Sequence, residues 1–326
     1  MKVHSLIGCH PRVWCLSLAF ICSTAVLAQT PSQDAASVAS TAWLSSLSAP
    51  VHLEGTLAKV QASGAVAIGY RDSSVPFSYL DTQGKPIGYS IELCRLLVQA
   101  IAKAVNRPVE VRWVPVTSAT RFDAITSGRA DLECGSTTSN RERQKTVAFS
   151  PTFFVAGTKL LVRKGSPVRD YLQLKGRKVA VTAGTTNEKT LRELSDRFKL
   201  DLQITPMRDH AESFAQVTQG TADAFATDDV LLYGLIAQTP GGRGQYAVVG
   251  DFLSYDPYGV MFRKDDPQLA KLVAESFQAL AADGEIERQY RRWFQRKLPG
   301  GGQTLNLPMS PQLEVILESL AATQKE

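Results

Sequence analysis

Residues 133–145, ECGSTTSNRERQK, set the four hydroxyls of Ser136–Ser139 ahead of Arg141, Arg143 and Lys145. Hydroxyls and guanidiniums at that density are donors for an anion, and a guanidinium can grip a carboxylate through two parallel bonds. Two further stretches share the composition: YRDSSVPF brings Arg71 with Ser73 and Ser74, and VTSATR brings Ser118 with Arg121. AGTTNE adds Thr185 and Thr186, MRDH adds Arg208 and His210, and ATDD adds Asp228 and Asp229. One group of loops thus offers anion donors, while the other offers hydroxyls, a histidine and an acid. In the first stretch Ser139 and Glu142 stand at capping-box spacing, which predicts a helix start. Free N–H groups and the helix dipole at such a start favour a carboxylate. Arg143 then either offers its fork to a carboxylate or belongs to a plain capped, solvated helix start, and Arg141 and Lys145 are expected to face solvent.

These loops follow segments that look like strands. AVAIGY (65–70), VEVRWVPV (109–116) and ADLEC (130–134) are apolar strand-type runs. Between them Glu92–Ala104 has helical spacing, and RFDAITSG (121–128) reads as a short helix closed by Gly128. Such alternation predicts parallel sheets with crossover helices, and in open sheets of that kind ligands bind beyond the carboxyl ends of the strands. The pattern then repeats. FDAITSGRADLECG (122–135) aligns without gaps to FAQVTQGTADAFAT (214–227), with Phe, Thr, Gly, Ala and Asp coincident, and AVAIGYR (65–71) matches KVAVTAG (178–184) in pattern. Two lobes of one α/β design are expected. FFVAGTKLLVRKG (153–165), extended and uninterrupted, is a candidate crossover between them, and YDPYGVMFRK (255–264) a candidate return. Helices are expected at 266–281 and 284–295, and a tail from 298 opens with Pro299 and Gly300–Gly302.

At 326 residues the chain suits two domains of ordinary size. Its start reads as a secretory signal: Lys2 and Arg12, the apolar run Val13–Leu27, then small residues before Gln29. Cleavage near Ala28 removes two cations and takes the net charge from +5 to +3. That is too mild for a nucleic-acid binder. Cys9, Cys15 and Cys22 leave with the signal, and Cys94 and Cys134 remain as a candidate disulfide. No cysteine or histidine spacing suits a metal, and no cofactor is expected. Residues 29–52, rich in Ala, Ser, Pro and Thr, read as a flexible leader, with Trp43 and Leu44 as residues able to dock.

ECGSTTSNRERQKTVAFS, with GYRDSSVPFSY, PVTSATR, GTT, RDH and TDD, resembles the extracellular solute-binding proteins for polar amino acids, in their glutamate/aspartate branch serving ABC importers. The likeness runs in order from about Leu57 to Leu320. It implies an α/β, two-lobed Venus flytrap, each lobe a mostly parallel sheet flanked by helices, with two crossover strands. Lobe 1 would take residues 53–155 and 257–298, lobe 2 residues 156–256, and 299–326 would be a tail with a short helix. By the same resemblance Arg143 clamps the α-carboxylate with Ser136 and Thr138, and Asp228 pairs with the α-ammonium. Asp229 is then an exposed helix-start residue. Thr185 reaches the ligand from the second lobe, and Arg71, Ser118, Arg121 and His210 hold a side-chain carboxylate. The implied partners are L-glutamate or L-aspartate and an inner-membrane permease, for a periplasmic monomer without a membrane span in its mature form. Three arginines against Asp228 give the expected site a charge of +2, which suits a dicarboxylate over an amide. The rival is an enzyme on the same scaffold, of cyclohexadienyl or arogenate dehydratase type. It needs a placed acid or base, and with Asp228 assigned to the ammonium only His210 is spare.

Overall fold

The computed structural model describes residues 41–48 and 52–323. The expected signal, residues 1–28, and most of the 29–52 leader lie outside the described residues. Strand β1 (Ala65–Tyr70) is apolar along its length because it is covered on both faces, as parallel strands are. It pairs in parallel with β2 (Glu110–Pro115) and β3 (Leu132–Glu133). Helix α1 (Tyr89–Ala104) leads towards β2, and α2 (Arg121–Thr126) leads from β2 towards β3. Beyond β3 lies β12 (Met261–Arg263), antiparallel to it, and then β4 (Val147–Phe149).

The second half repeats the plan. β7 (Lys178–Thr182) pairs in parallel with β8 (Gln203–Met207) and β9 (Ala224–Asp228), followed by antiparallel β6 (Thr158–Arg163) and β10 (Tyr246–Val249). Helices α3 (Thr186–Phe198), α4 (His210–Gln219) and α5 (Asp229–Gln238) link these strands. Each sheet therefore has parallel and antiparallel pairings in equal number, so it is mixed where a mostly parallel one was expected. The reason is the crossovers: β5 (Phe154–Ala156) pairs antiparallel with β11 (Asp256–Tyr258), and each runs on into the fourth strand of a sheet.

The candidate crossover at 153–165 is not uninterrupted. Gly157 separates β5 from β6, where an added Cβ would stand 2.4 Å from the carbonyl oxygen of Ser254 on the returning segment. Only glycine allows the two crossovers to run that close. Phe154 and Tyr258 anchor both crossovers in one aromatic cluster, each packed edge-on against Phe77 at 4.9 and 5.1 Å between centroids. The two helices expected after the return are α6 (Pro267–Ala282) and α7 (Glu285–Phe294), and the tail carries α8 (Pro311–Ala322).

Two local expectations fail. No helix starts at Ser139: residues Arg143–Lys145 make a single 3-10 turn, and Asn140 Oδ1 accepts the Arg143 N–H at 2.9 Å. Ser139 is held extended instead, its N–H donating to the Pro257 carbonyl at 2.7 Å. The leader is also not free throughout, since Trp43 in the turn Ala42–Ser46 is buried against α1 and α6. Among the described residues no helix is long and apolar enough to cross a membrane.

Candidate functional site

The strand ends of both sheets meet at one cavity. Arg71 follows β1, and its backbone is clasped by Ser78, whose Oγ accepts the Arg71 N–H at 2.8 Å. Its side chain is only 1% exposed, and Nε, Nη1 and Nη2 all lack a partner among the described residues. Arg121 opens α2 and is equally buried, with Nη2 reaching the Gly184 carbonyl at 3.5 Å and Nε unpaired. Ser118 and Ser136 are buried with free hydroxyls, whereas Thr138 donates to Asp256 Oδ1 at 3.1 Å. Arg143 is half-buried, with Nη1 on the Thr138 carbonyl at 2.9 Å. The guanidiniums of Arg121 and Arg143 lie 5.3 and 5.2 Å from the Phe122 ring centre, within cation–π reach. Arg141 and Lys145 are exposed, as read from the sequence.

From the other sheet come Thr185, His210 and Asp228. Thr185 caps α3: its hydroxyl donates to the Thr182 carbonyl at 2.7 Å and accepts the Glu188 N–H at 3.1 Å. Most of its hydrogen-bonding capacity is therefore committed within the fold. His210 opens α4, buried, with Nδ1 2.8 Å from Thr182 Oγ1 and Nε2 unpaired. Asp228 ends β9 and is 3% exposed; it accepts from Asn187 Nδ2 at 2.7 Å and from the Tyr258 hydroxyl. Asp229, expected to be exposed, does start α5 but is half-buried, because its N–H donates to the Gly157 carbonyl at the crossover. Across the mouth Thr138 and Thr186 hydroxyls stand 3.3 Å apart, and Lys189 meets Glu142 at 2.5 Å.

Counting open solvent, the void at this cavity is about 210 Å³. Seven of the nine residues singled out from the sequence line it: Ser118, Arg121, Ser136, Thr138, Thr185, His210 and Asp228. Arg71 and Arg143 are not part of that lining. Burial, then the nearby Arg121 cation, lower the Arg71 guanidinium to about 10, and the same two causes bring Arg143 to about 9. Both stay charged at neutral pH. Burial, then the cations Arg71 and Arg121, push His210 well below its usual value, so the ring is neutral. Burial, and then Asp256, push Asp228 up to about 8.

Sequence reasoning missed two acids. Glu133, fully buried at the end of β3, accepts from Thr137 Oγ1 at 2.6 Å while Oε1 has no partner, and its charge supports Arg71, Arg121 and Arg143 alike. Asp256, on the return crossover, takes hydrogen bonds from Thr138 and Ser254. With both counted, three guanidiniums face three carboxylates, and with Asp228 holding its proton the surplus is +1 where +2 was expected. An acid inside the apolar run ADLEC was the available signal for Glu133. Cys94 on α1 and Cys134 after β3 are joined in a disulfide, which fixes the strand end bearing Glu133 and Ser136 to that helix. Among the described residues no group of three or more His, Cys, Asp or Glu could hold a metal.

The chain is 43% identical over 278 residues to an L-glutamate/L-aspartate-binding protein of Pseudomonas aeruginosa, covering 84% of this chain and 92% of that protein. It is 39% identical over 264 residues to a glutamate/aspartate import solute-binding protein of Escherichia coli, covering 81% and 87%. A solved ancestral amino-acid-binding protein, a precursor of cyclohexadienyl dehydratase, matches with a TM-score of 0.63 at 29% identity, over 73% of this chain and 99% of that one. Residues 66–296 match the bacterial extracellular solute-binding proteins, family 3. With a match over most of its length and two lobes built alike around one cavity, this chain belongs to that family.

Proposed function

We propose that this protein is the substrate-binding component of an amino-acid ABC importer, capturing L-glutamate or L-aspartate between its lobes and delivering it to a membrane permease. The observation that carries this reading is Arg71, a buried guanidinium with all three nitrogens unpaired among the described residues. Leaving one buried donor unpaired costs about 1–3 kcal/mol, more for a charged group. A ligand carboxylate reaching Arg71, Arg121, Ser118 and His210 removes that cost, and an amide, with a single carbonyl acceptor, removes less of it. The α-carboxylate goes to Arg143, Ser136 and Thr138, and the α-ammonium to Asp228. With the surplus charge at +1, preference for a dicarboxylate rests less on net charge than on which donors are orphaned.

The names of the relatives from Pseudomonas aeruginosa and Escherichia coli support a binding protein over a dehydratase. With Asp228 assigned to the ammonium, a dehydratase would have His210 and the buried Glu133 left for its acid–base work, and neither is needed in that role by a binding protein. Export to the periplasm with cleavage near Ala28, lobes divided at the two crossovers and a monomeric state complete the reading. Closure is a hinge at β5 and β11 that shuts water out.

Calorimetry on protein freed of endogenous ligand by unfolding and refolding tests it, across L-glutamate, L-aspartate, L-glutamine, L-asparagine and apolar amino acids. The dicarboxylates are expected to bind on the order of a hundredfold tighter than the amides. Glutamate and aspartate differ by one methylene, worth about 1–3 kcal/mol in a pocket. Tight binding of a neutral amino acid with no heat from either dicarboxylate overturns the reading.

A further inference from the structure

His210 is 1% exposed and lines the cavity, with Nδ1 on Thr182 and Nε2 without a partner among the described residues. Behind the ring stands a row of hydroxyls. Nδ1 lies 2.8 Å from Thr182 Oγ1, which lies 2.9 Å from Ser213 Oγ, which lies 2.8 Å from the Asp209 carbonyl oxygen. A carbonyl oxygen only accepts, and each hydroxyl has one hydrogen to give. With Ser213 donating to Asp209, Thr182 has to donate to Ser213, and Thr182 is then free only to accept from Nδ1–H. The neutral ring consequently shows the cavity a lone pair at Nε2.

The row can also run the other way. Ser213 then donates to Thr182, Thr182 donates to Nδ1, and the ring proton moves to Nε2. Reversal forfeits one bond, because the Asp209 carbonyl keeps the Ser213 backbone N–H at 3.0 Å. The two directions suit different ligands: a carboxylate needs a donor at Nε2, whereas an amide N–H₂ can use the lone pair.

We propose that Thr182 and Ser213 are positioning residues that set the tautomer of His210, and that an acidic ligand binds with the hydroxyl row reversed, so that Nε2 becomes a donor. This rests on the dicarboxylate reading of the cavity. Burial, then the cations Arg71 and Arg121, keep the ring neutral before ligand arrives, and the proposal concerns the position of its one proton. Histidine then does not by itself reject an amide; the row's resting direction slightly favours one, and rejection falls to the orphaned guanidiniums.

Nitrogen-15 shifts of His210 in the full chain read the tautomer directly. Free wild-type protein is expected to carry the proton on Nδ1 and the L-glutamate complex on Nε2. Ser213→Ala leaves the Thr182 hydrogen no acceptor but Nδ1 and should place the proton on Nε2 even without ligand. Its affinity for L-glutamate should rise by about three- to tenfold, the value of one hydrogen bond, with no gain for L-glutamine. Ser213→Thr, which keeps the hydroxyl, should behave as wild type. A proton on Nε2 in free wild type, or an unchanged tautomer and unchanged glutamate-to-glutamine ratio in Ser213→Ala, overturns the proposal. The free-state tautomer is read without ligand, so failure of L-glutamate to bind sinks the functional reading while this measurement still decides the direction of the row.

Discussion

Two helix-turn-strand units, α2–β3 in the first lobe and α4–β9 in the second, approach the cavity from opposite sides. Both use the same backbone device. Asp131 takes the Ala67 N–H on Oδ2 at 2.9 Å and gives its own N–H to the Ala67 carbonyl at 2.7 Å. Asp223 does this to Lys178 at 2.9 and 2.8 Å. The device holds the third strand against the first and so fixes where the third strand ends. What stands at the end differs. In the gapless alignment of the two units, the residue after the aligned block is Ser136 in one lobe and Asp228 in the other. The first strands differ likewise, for Arg71 occupies the place of Thr182. The fold supplies equivalent strand ends, and side-chain type alone decides that one lobe offers cations and hydroxyls while the other offers an acid and a neutral ring.

The largest effects should come from removing the cations of the first lobe. Arg121→Ala is expected to weaken L-glutamate and L-aspartate by about 2–5 kcal/mol with little change for neutral amino acids, whereas Arg143→Ala should abolish binding of every amino acid. Calorimetric titration separates the two, and an equal loss for all ligands in Arg121→Ala ends the division of labour. The shared aspartates give a comparison in stability. The Asp131 side chain is fully buried, with Lys59 at 2.8 Å and Arg263 at 3.8 Å, while that of Asp223 is 39% exposed beside Arg177 at 3.2 Å. Asp131→Ala should cost about 2–3 kcal/mol in urea unfolding, because it leaves the buried Ala67 N–H without its acceptor. Asp223→Ala should cost about 1 kcal/mol, the range of an exposed pair and one hydrogen bond. Equal shifts in midpoint would mean that burial is not what separates the two copies.

Long, regular elements were legible in the chain. AVAIGY coincides with β1 residue for residue, and the aligned units are α2–β3 and the matching part of α4–β9. Matching AVAIGYR to KVAVTAG was right in kind but two residues off. Ile68 pairs with Leu132 as Val179 does with Ala224, so Ala67 is the counterpart of Lys178. Strand patterning repeats every second residue, so a slip of two leaves no trace in it. Glu133 looked like part of a buried strand because it is one, and its partners Arg71 and Arg121 come from other loops. The capping box at Ser139 was sound local grammar, overridden by pairing with Pro257 far along the chain. Thr182 and Ser213 lie on separate elements, and neither carries a motif. Strand-end position found most of the cavity's lining; it could not find groups that reach that lining through a partner brought in by the fold.

The smallest effect tests the difference between Ser136 and Asp228 most directly, because only the second can hold or lose a proton. Burial and the Asp256 charge raise Asp228 to about 8, against the pull of hydrogen bonds from Tyr258 and Asn187. Below that value the ligand-free chain keeps the proton, and an incoming ammonium has to displace it. Affinity for L-glutamate should therefore rise as pH goes from 6 towards 8, by at most about tenfold per unit, and level off above. Proton release on binding should appear as a dependence of the measured heat on the ionisation enthalpy of the buffer. Asp256→Asn removes the like charge, lowers the Asp228 value and should move the rise to lower pH. Flat affinity over this range with no proton released would mean that the second lobe presents an ionised carboxylate from the outset, and the two strand ends would then differ in charge without differing in response to pH.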